Sequence, residues 1–202
     1  MKLRLARLAY PVTALGPGRR LVLWVAGCPL RCPGCITPEL QDPAAGRDVP
    51  VERLAQRILR LEPPLDGITL SGGEPFAQAP ALAALWRQLR PQRPHWDLLI
   101  FSGHPLSQLR RRPEAAELLA HTDLLVAGPY RRERPGGHPL LASANQRLYA
   151  LSERGEAMCA ACTDPCAPRA NLGLLPDQRG WLIGILDPEQ RQRLHEGLTG
   201  GG

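Results

Sequence analysis

The sequence predicts an α/β fold in which mainly parallel strands alternate with helical crossovers. Three observations carry this. Short apolar runs, such as residues 21–26 and the Leu98 to Phe101 part of 97–101, have the length of buried strands and are too short for helices. Between them, apolar residues recur at helical spacing, as in Val51, Leu54, Ala55, Ile58 and Leu59. The residues richest in chemistry come directly after the predicted strands, at the end of a parallel sheet where such folds gather their sites.

In chain order, residues 3–10 suit an edge strand, and Gly16-Pro17-Gly18 is a turn. Residues 21–26 then make a buried parallel strand with Trp24 in core packing, which puts the cysteines that follow in a loop at its carboxyl end. A polar, proline-rich loop spans 38–50, and Pro50 suits the first turn of a helix over 51–59, where its missing N–H costs nothing. Strands follow at 67–70, 97–101 and 123–126, alternating with helices around Leu82, Leu85, Trp86 and Leu89 and over 107–120. A further strand fits 147–151. The tail carries a second cysteine group, a turn-rich stretch, an apolar run at 181–186 and, after Asp187 and Pro188, a short closing helix over 191–198. The chain therefore divides into a core-like domain, 1–152, and a C-terminal extension, 153–202.

Composition narrows the class. With 44% hydrophobic but 4% aromatic residues, the core is aliphatic, and 202 residues suit one domain. The 22 prolines and 20 glycines lie between periodic segments, as turns do. Neither a signal peptide nor a membrane span is evident, which predicts a cytoplasmic protein whose close cysteines are metal ligands and not disulfides. The formal charge of +6 suits a solvated basic face or an acidic protein partner. Nucleic acid is disfavoured, because Arg110, Arg111, Arg112, Arg131 and Arg132 lack interleaved aromatics apart from Tyr130.

Half of the six cysteines fall within eight residues, as Cys28, Cys32 and Cys35. Thiolates are soft donors suited to iron–sulfur clusters or zinc, and the intervening prolines and glycines let the loop converge them. Zinc needs a fourth donor, and residues 36–40 offer neither Cys nor His. An iron–sulfur cubane on three cysteines leaves one iron open. The three-then-two spacing also differs from the ferredoxin pattern. A zinc-stabilised binding module stays open as an alternative. Ser71-Gly72-Gly73-Glu74-Pro75 lets backbone approach a ligand closely, while His104 is either a packed histidine or a pocket donor. Asn145 and Gln146 are turn residues or pocket hydrogen-bonders. Cys159, Cys162 and Cys166 fit an auxiliary iron–sulfur cluster, a structural zinc, or unligated thiols. Neither a phosphate-binding loop nor a hydrolase nucleophile elbow is present.

Cys28-x3-Cys32-x2-Cys35, with Gly27-Cys28-Pro29-Leu30-Arg31 before it, resembles the cluster motif of radical S-adenosylmethionine enzymes. Within them the chain is similar to the small activating enzymes of glycyl-radical proteins, most closely the anaerobic ribonucleotide reductase activators. Ser71-Gly72-Gly73-Glu74-Pro75, Ser102-Gly103-His104, Ala127-Gly128-Pro129-Tyr130 and Ser143-Ala144-Asn145-Gln146-Arg147 resemble later segments of that group. Ala127, where the group often has aspartate, and the cysteine-bearing tail depart from it. The resemblance implies a partial (β/α) barrel. It also implies a [4Fe-4S] cluster on Cys28, Cys32 and Cys35, with S-adenosylmethionine bound by Ser71, Gly72, Gly73, Glu74, Ser102, His104 and Asn145. The implied reaction is reductive cleavage of that cofactor to a 5'-deoxyadenosyl radical, with an electron from flavodoxin or ferredoxin. A glycyl-radical enzyme would be the protein substrate, and another peptide or a small metabolite is the alternative.

Overall fold

Seven strands form one mixed sheet in the order β3-β1-β2-β4-β5-β6-β7, and a separate hairpin pairs β8 with β9 in the computed structural model. The structure describes residues 1–62, 64–163, 170–174, 180–186, 189, 190, 192, 193 and 196. The strands are β1 (Lys2–Val12), β2 (Arg20–Val25), β3 (Arg47–Pro50), β4 (Gly67–Gly72), β5 (Asp97–Ser102), β6 (Leu124–Ala127), β7 (Arg147–Ala150), β8 (Ala170–Leu174) and β9 (Gly180–Gly184). The helices are α1 (Val51–Leu59), α2 (Ala79–Leu89), α3 (Leu106–Leu109), α4 (Pro113–His121) and α5 (Glu153–Ala161).

The expectation of mainly parallel strands holds only at the centre. β2, β4, β5 and β6 run parallel, but β1 is antiparallel to both β2 and β3, and β7 is antiparallel to β6. Three of the six pairings are thus antiparallel, and β3 and β7 are the two ends of an open strand order that a closed barrel would join. β1 is not the edge it suggests in sequence. That place belongs to β3, which crosses the end of the stretch predicted as a loop.

The continuous apolar runs are explained by burial on both faces. Leu21, Leu23, Ile68, Leu70, Leu98 and Ile100 face α1, α2 and α4 in the main core. The alternate residues Val22, Leu99, Leu124 and Val126 face the other way, toward α5 and the hairpin. Each fully buried aliphatic side chain contributes roughly 1.5–3 kcal/mol of transfer free energy. The helix predicted over 107–120 is two pieces, because Pro113 cannot continue a helix and instead opens α4 at its first turn. The predicted closing helix lies mostly outside the described residues. Among the described residues, no helix is long and apolar enough to cross a membrane.

Arg20 joins three segments of the parallel centre from a wholly buried position. Its guanidinium donates to Thr69 Oγ1 (2.6 Å), the Pro17 and Ile68 carbonyls (3.0 and 2.8 Å) and Asp97 Oδ1 (2.5 Å). The turn before β2 is thereby fixed to the start of β4 and β5.

Candidate active site

The cysteine loop hangs from the carboxyl end of β2 by main-chain bonds. Gly27 and Cys28 donate their N–H to the carbonyls of Leu40 and Gln41, while Gly73 and Glu74 donate theirs to Val25 and Gly27. The loop is therefore fastened to the residues after β4 before any side chain acts. Two left-handed residues, Arg31 at φ 46° and Gly34 at φ 68°, turn it tightly enough to bring the cysteines round. Gly72 has φ 107°, and a Cβ there would strike the Val25 carbonyl and approach the Val25 nitrogen to 2.6 Å. Only glycine permits this approach.

Cys28, Cys32 and Cys35 are free thiols, all partly exposed, and they line one cavity. Its other walls come from Ser71, Gly72, Gly73 and Glu74 at the end of β4, Ser102 and Gly103 at the end of β5, and Gly128 and Tyr130 after β6. Four strand ends thus meet where the sequence placed them. Among the described residues, no three His, Cys, Asp or Glu side chains stand close enough together to cage a metal ion. The three sulfurs share a wall without converging on one point.

Burial pushes the Cys28 thiol above its ordinary range, while N–H groups of Leu30 and Arg31 pull the other way; the charges of Glu74 and Cys32 push it further up. A bound cationic metal centre reverses that balance and deprotonates a coordinating thiol outright. The donor set fits an iron–sulfur cluster: three soft sulfurs on one tight loop, with backbone donors directed at one of them.

Glu74 has a structural duty that its sequence position does not reveal. Its carboxylate is 1% exposed. Oε1 accepts from the Phe76 N–H (2.9 Å) and the Ser102 hydroxyl (3.0 Å), and Oε2 accepts from the Gly103 N–H (2.9 Å). Burial raises its pKa, opposed first by the Phe76 and Gly103 N–H groups. The side chain both lines the cavity and bolts the β4 and β5 loops together. Glu74→Ala leaves two buried donors and one part-buried donor without their acceptor and is expected to lower stability by about 2–4 kcal/mol, measured by denaturant unfolding. An unchanged midpoint would show that the bridge carries no weight.

The remaining candidates divide. His104 is buried, but its ring is engaged outside the cavity lining: Nε2 faces the Arg112 guanidinium (3.2 Å) and Nδ1 faces Gln108 Oε1 (2.9 Å). Since arginine only donates, Nε2 accepts and Nδ1 carries the proton toward Gln108. Asn145 donates to the Pro129 carbonyl (2.7 Å), and its Oδ1 is a buried acceptor without a hydrogen-bond partner among the described residues. Its neighbour Gln146 reaches the cavity wall and donates to the Gly128 carbonyl (3.1 Å). Leu30, Gln41 and Phe101 also line the cavity and carry no signal of that role in sequence.

In the second cysteine group, Cys159 lies on α5 and Cys162 caps its end, while Cys166 lies outside the described residues. Cys162 is 5% exposed and packs with Leu99, Leu124, Val126, Leu140 and Met158. Burial, aided by the charge of Cys159, pushes its pKa up to about 11. A metal on Cys159, Cys162 and Cys166 would have to draw Cys162 out of that packing. Native-state alkylation at pH 8 is expected to modify Cys162 at least about tenfold more slowly than in the unfolded chain, accelerating as pH rises toward 11. Equal rates in the two states would contradict this packing.

Residues 14–149 match the family model described as a 4Fe-4S single cluster domain, and the chain belongs to that family. Among curated proteins it is similar to the pyruvate formate-lyase-activating enzymes of Staphylococcus aureus strains USA300, NCTC 8325 / PS 47 and COL. Each is 35% identical over 121 residues, covering 56% of this chain and 47% of the relative. The chain thus spans about half the length of the curated relatives it matches. The likeness is to activating enzymes, without the particular leaning to ribonucleotide reductase activators that the motifs suggested.

Proposed function

We propose that this chain is a radical S-adenosylmethionine activating enzyme that generates a glycyl radical on a partner protein. The observation that carries the reading is the meeting of Cys28, Cys32 and Cys35 with Gly73, Glu74, Ser102 and Gly103 around one cavity. The three thiolates would hold a [4Fe-4S] cluster. With S-adenosylmethionine bound, such a cluster, given one electron by an external reductant, would supply reductive cleavage of the sulfonium to methionine and a 5'-deoxyadenosyl radical able to take a hydrogen atom from the partner's glycine.

The chain's own share is placement and exclusion of water. Gly73 lets the main chain after β4 pack on the cysteine loop, where a Cβ would strike the Gly27 and Leu40 carbonyls, and Glu74 holds the facing loop through Gly103. Ile36, Leu30 and Phe101 give that cavity an apolar lining. Exposed Arg31, and Arg132 lying against Gly34, put positive charge beside the cysteine loop, where an acidic flavodoxin or ferredoxin would dock as electron donor. The names of the relatives make a pyruvate formate-lyase the first partner to test and an anaerobic ribonucleotide reductase the second.

The deciding experiment is anaerobic reconstitution with iron and sulfide, reduction by dithionite, and chromatography for 5'-deoxyadenosine after S-adenosylmethionine is added. Product is expected without a partner, and a glycyl radical signal with one. An iron-loaded, fully reduced protein that releases no product would end this reading.

A further inference from the structure

A second cavity, of about 770 Å3, adjoins the cysteine cavity and shares Ile36, Ser71 and Phe101 with it. Its volume falls in the range of ligand sites, roughly 300–1,000 Å3. One wall is the sheet face carrying Leu8 and Trp24, and the other is strand β9 with the two residues after it. That hairpin lies beyond the region matched to the family, so this wall is particular to the chain's own tail.

The hairpin is anchored. Asn171 Oδ1 accepts the N–H groups of Thr13 and Ala14, both at 2.9 Å, and its amide donates to Thr13 Oγ1, also at 2.9 Å. Ile183 and Ile185 pack against Val12, Leu15 and Val22. Trp181 lies across Gly173 of the paired strand, where a Cβ would collide with its indole.

The chemistry of the cavity is apolar and neutral. Its charged lining residues, Arg7 and Glu39, pair with each other at 3.1 Å. An apolar side chain gains by burial against this lining, whereas a charged one meets an ion pair already formed and partly solvated. The mouth extends the same character outward. Among the described residues the exposed large hydrophobics are Met1, Leu8, Tyr10, Leu172, Trp181 and Leu182, and five of these six lie on β1 and the hairpin. Patches of this kind mark interaction sites. A small molecule filling the cavity would leave Tyr10 and Leu172 uncovered. A flat contact with a second copy would cover them but leave the cavity unfilled, forfeiting its packing.

We propose that the β8–β9 hairpin completes a binding site for an aliphatic or aromatic side chain of a polypeptide substrate. The adjacent backbone then reaches the cysteine cavity past Ile36, Ser71 and Phe101. Trp181 and Ile183 are the specificity-determining residues. This rests on the reading of the cysteine cavity as the place of reaction.

The test uses the full-length reconstituted chain, without S-adenosylmethionine, and two capped tripeptides, Leu-Gly-Leu and Asp-Gly-Asp, followed by ligand-observed NMR. Leu-Gly-Leu is expected to saturate with a Kd below about 10 mM, and Asp-Gly-Asp to bind at least about tenfold more weakly. Ile183→Glu abolishes binding of the leucine peptide. Trp181→Ala, at a part-exposed position that the fold tolerates more readily, weakens it by about fivefold or more. Equal binding of the two peptides, no saturable binding, or binding that neither variant weakens overturns the proposal. So does a dimer seen by light scattering that Leu182→Glu dissociates, because it would give the face to a second copy. Peptide binding is read without cofactor cleavage. Binding with no 5'-deoxyadenosine release therefore sinks the proposed reaction alone, and release with no binding sinks this inference alone.

Discussion

Replacing Arg20 with methionine will lower the stability of the fold by about 3–5 kcal/mol, because it removes one partner of a buried ion pair and leaves the other desolvated. Three other acceptors lose their donor in the same change: Thr69 Oγ1 and the carbonyls of Pro17 and Ile68. At this chain length the loss corresponds to a fall in Tm of about 10 °C. Asp97 gives the effect a pH signature. Burial already raises its pKa, and the charge of Arg20 is the largest influence opposing that rise. Without Arg20 the folded-state pKa climbs further above the unfolded value. A raised carboxyl pKa means stability present at low pH and lost as pH rises, so the variant's deficit narrows as pH falls toward 4. Asp97→Asn in the same chain is expected to recover part of the loss at pH 7. A single variant within about 1 kcal/mol of wild type would overturn the account of Arg20 as the internal tie of the sheet.

The second large effect is chemical. Cys32→Ala is expected to abolish stable cluster assembly and to reduce 5'-deoxyadenosine formation by at least about 10^3-fold, equivalent to roughly 4 kcal/mol of barrier. Two thiolates on a loop cannot hold a cubane and keep one iron for the cofactor. The fold itself is expected to survive, since the loop is tied by the Gly27, Cys28, Gly73 and Glu74 main-chain bonds and not by the Cys32 side chain. Iron content, product yield and the thermal melt measured on one preparation separate these statements. Wild-type product yield from Cys32→Ala would remove the cysteine loop from the reaction.

The legible parts of the fold were those where one local signal agrees with its packing. β2, β5 and β6 announce themselves because both of their faces are buried, so each carries an apolar run of at least four residues, while β4 shows the same burial around Ile68 and Leu70 with Thr69 between them. β3 is invisible by the same logic. It has four residues, Arg47 and Asp48 among them exposed, and it exists only because the Lys2–Leu5 end of β1 offers it a backbone partner. Strand direction was hidden for a related reason: β7 pairs antiparallel after a long connection whose return path no periodicity encodes. α5 carries two glutamates in its first turn and little apolar pattern, so only its packing on Leu99 and Leu124 reveals it.

At the site, the glycines and cysteines were readable because their chemistry is tied to residue type. Ser71, Gly72, Gly73, Glu74 and Ser102 line the same cavity as the cysteines. A side chain's type says what it can bond, and the fold decides what it does bond: Gln108 and Arg112 face the His104 ring, and the Pro129 carbonyl accepts from the Asn145 amide. Phe101 is the converse case, an apolar strand residue whose outward face opens onto both cavities.

The loops that form the site are stitched by amide and carbonyl groups, which every sequence possesses. Such a frame is indifferent to most of what hangs from it. Changing the side chains of Pro29 or Pro33 leaves those bonds in place, while Gly27, Gly72 and Gly73 hold the geometry. The frame of the cysteine cavity is therefore written in backbone, and the side chains around it are what set its chemistry.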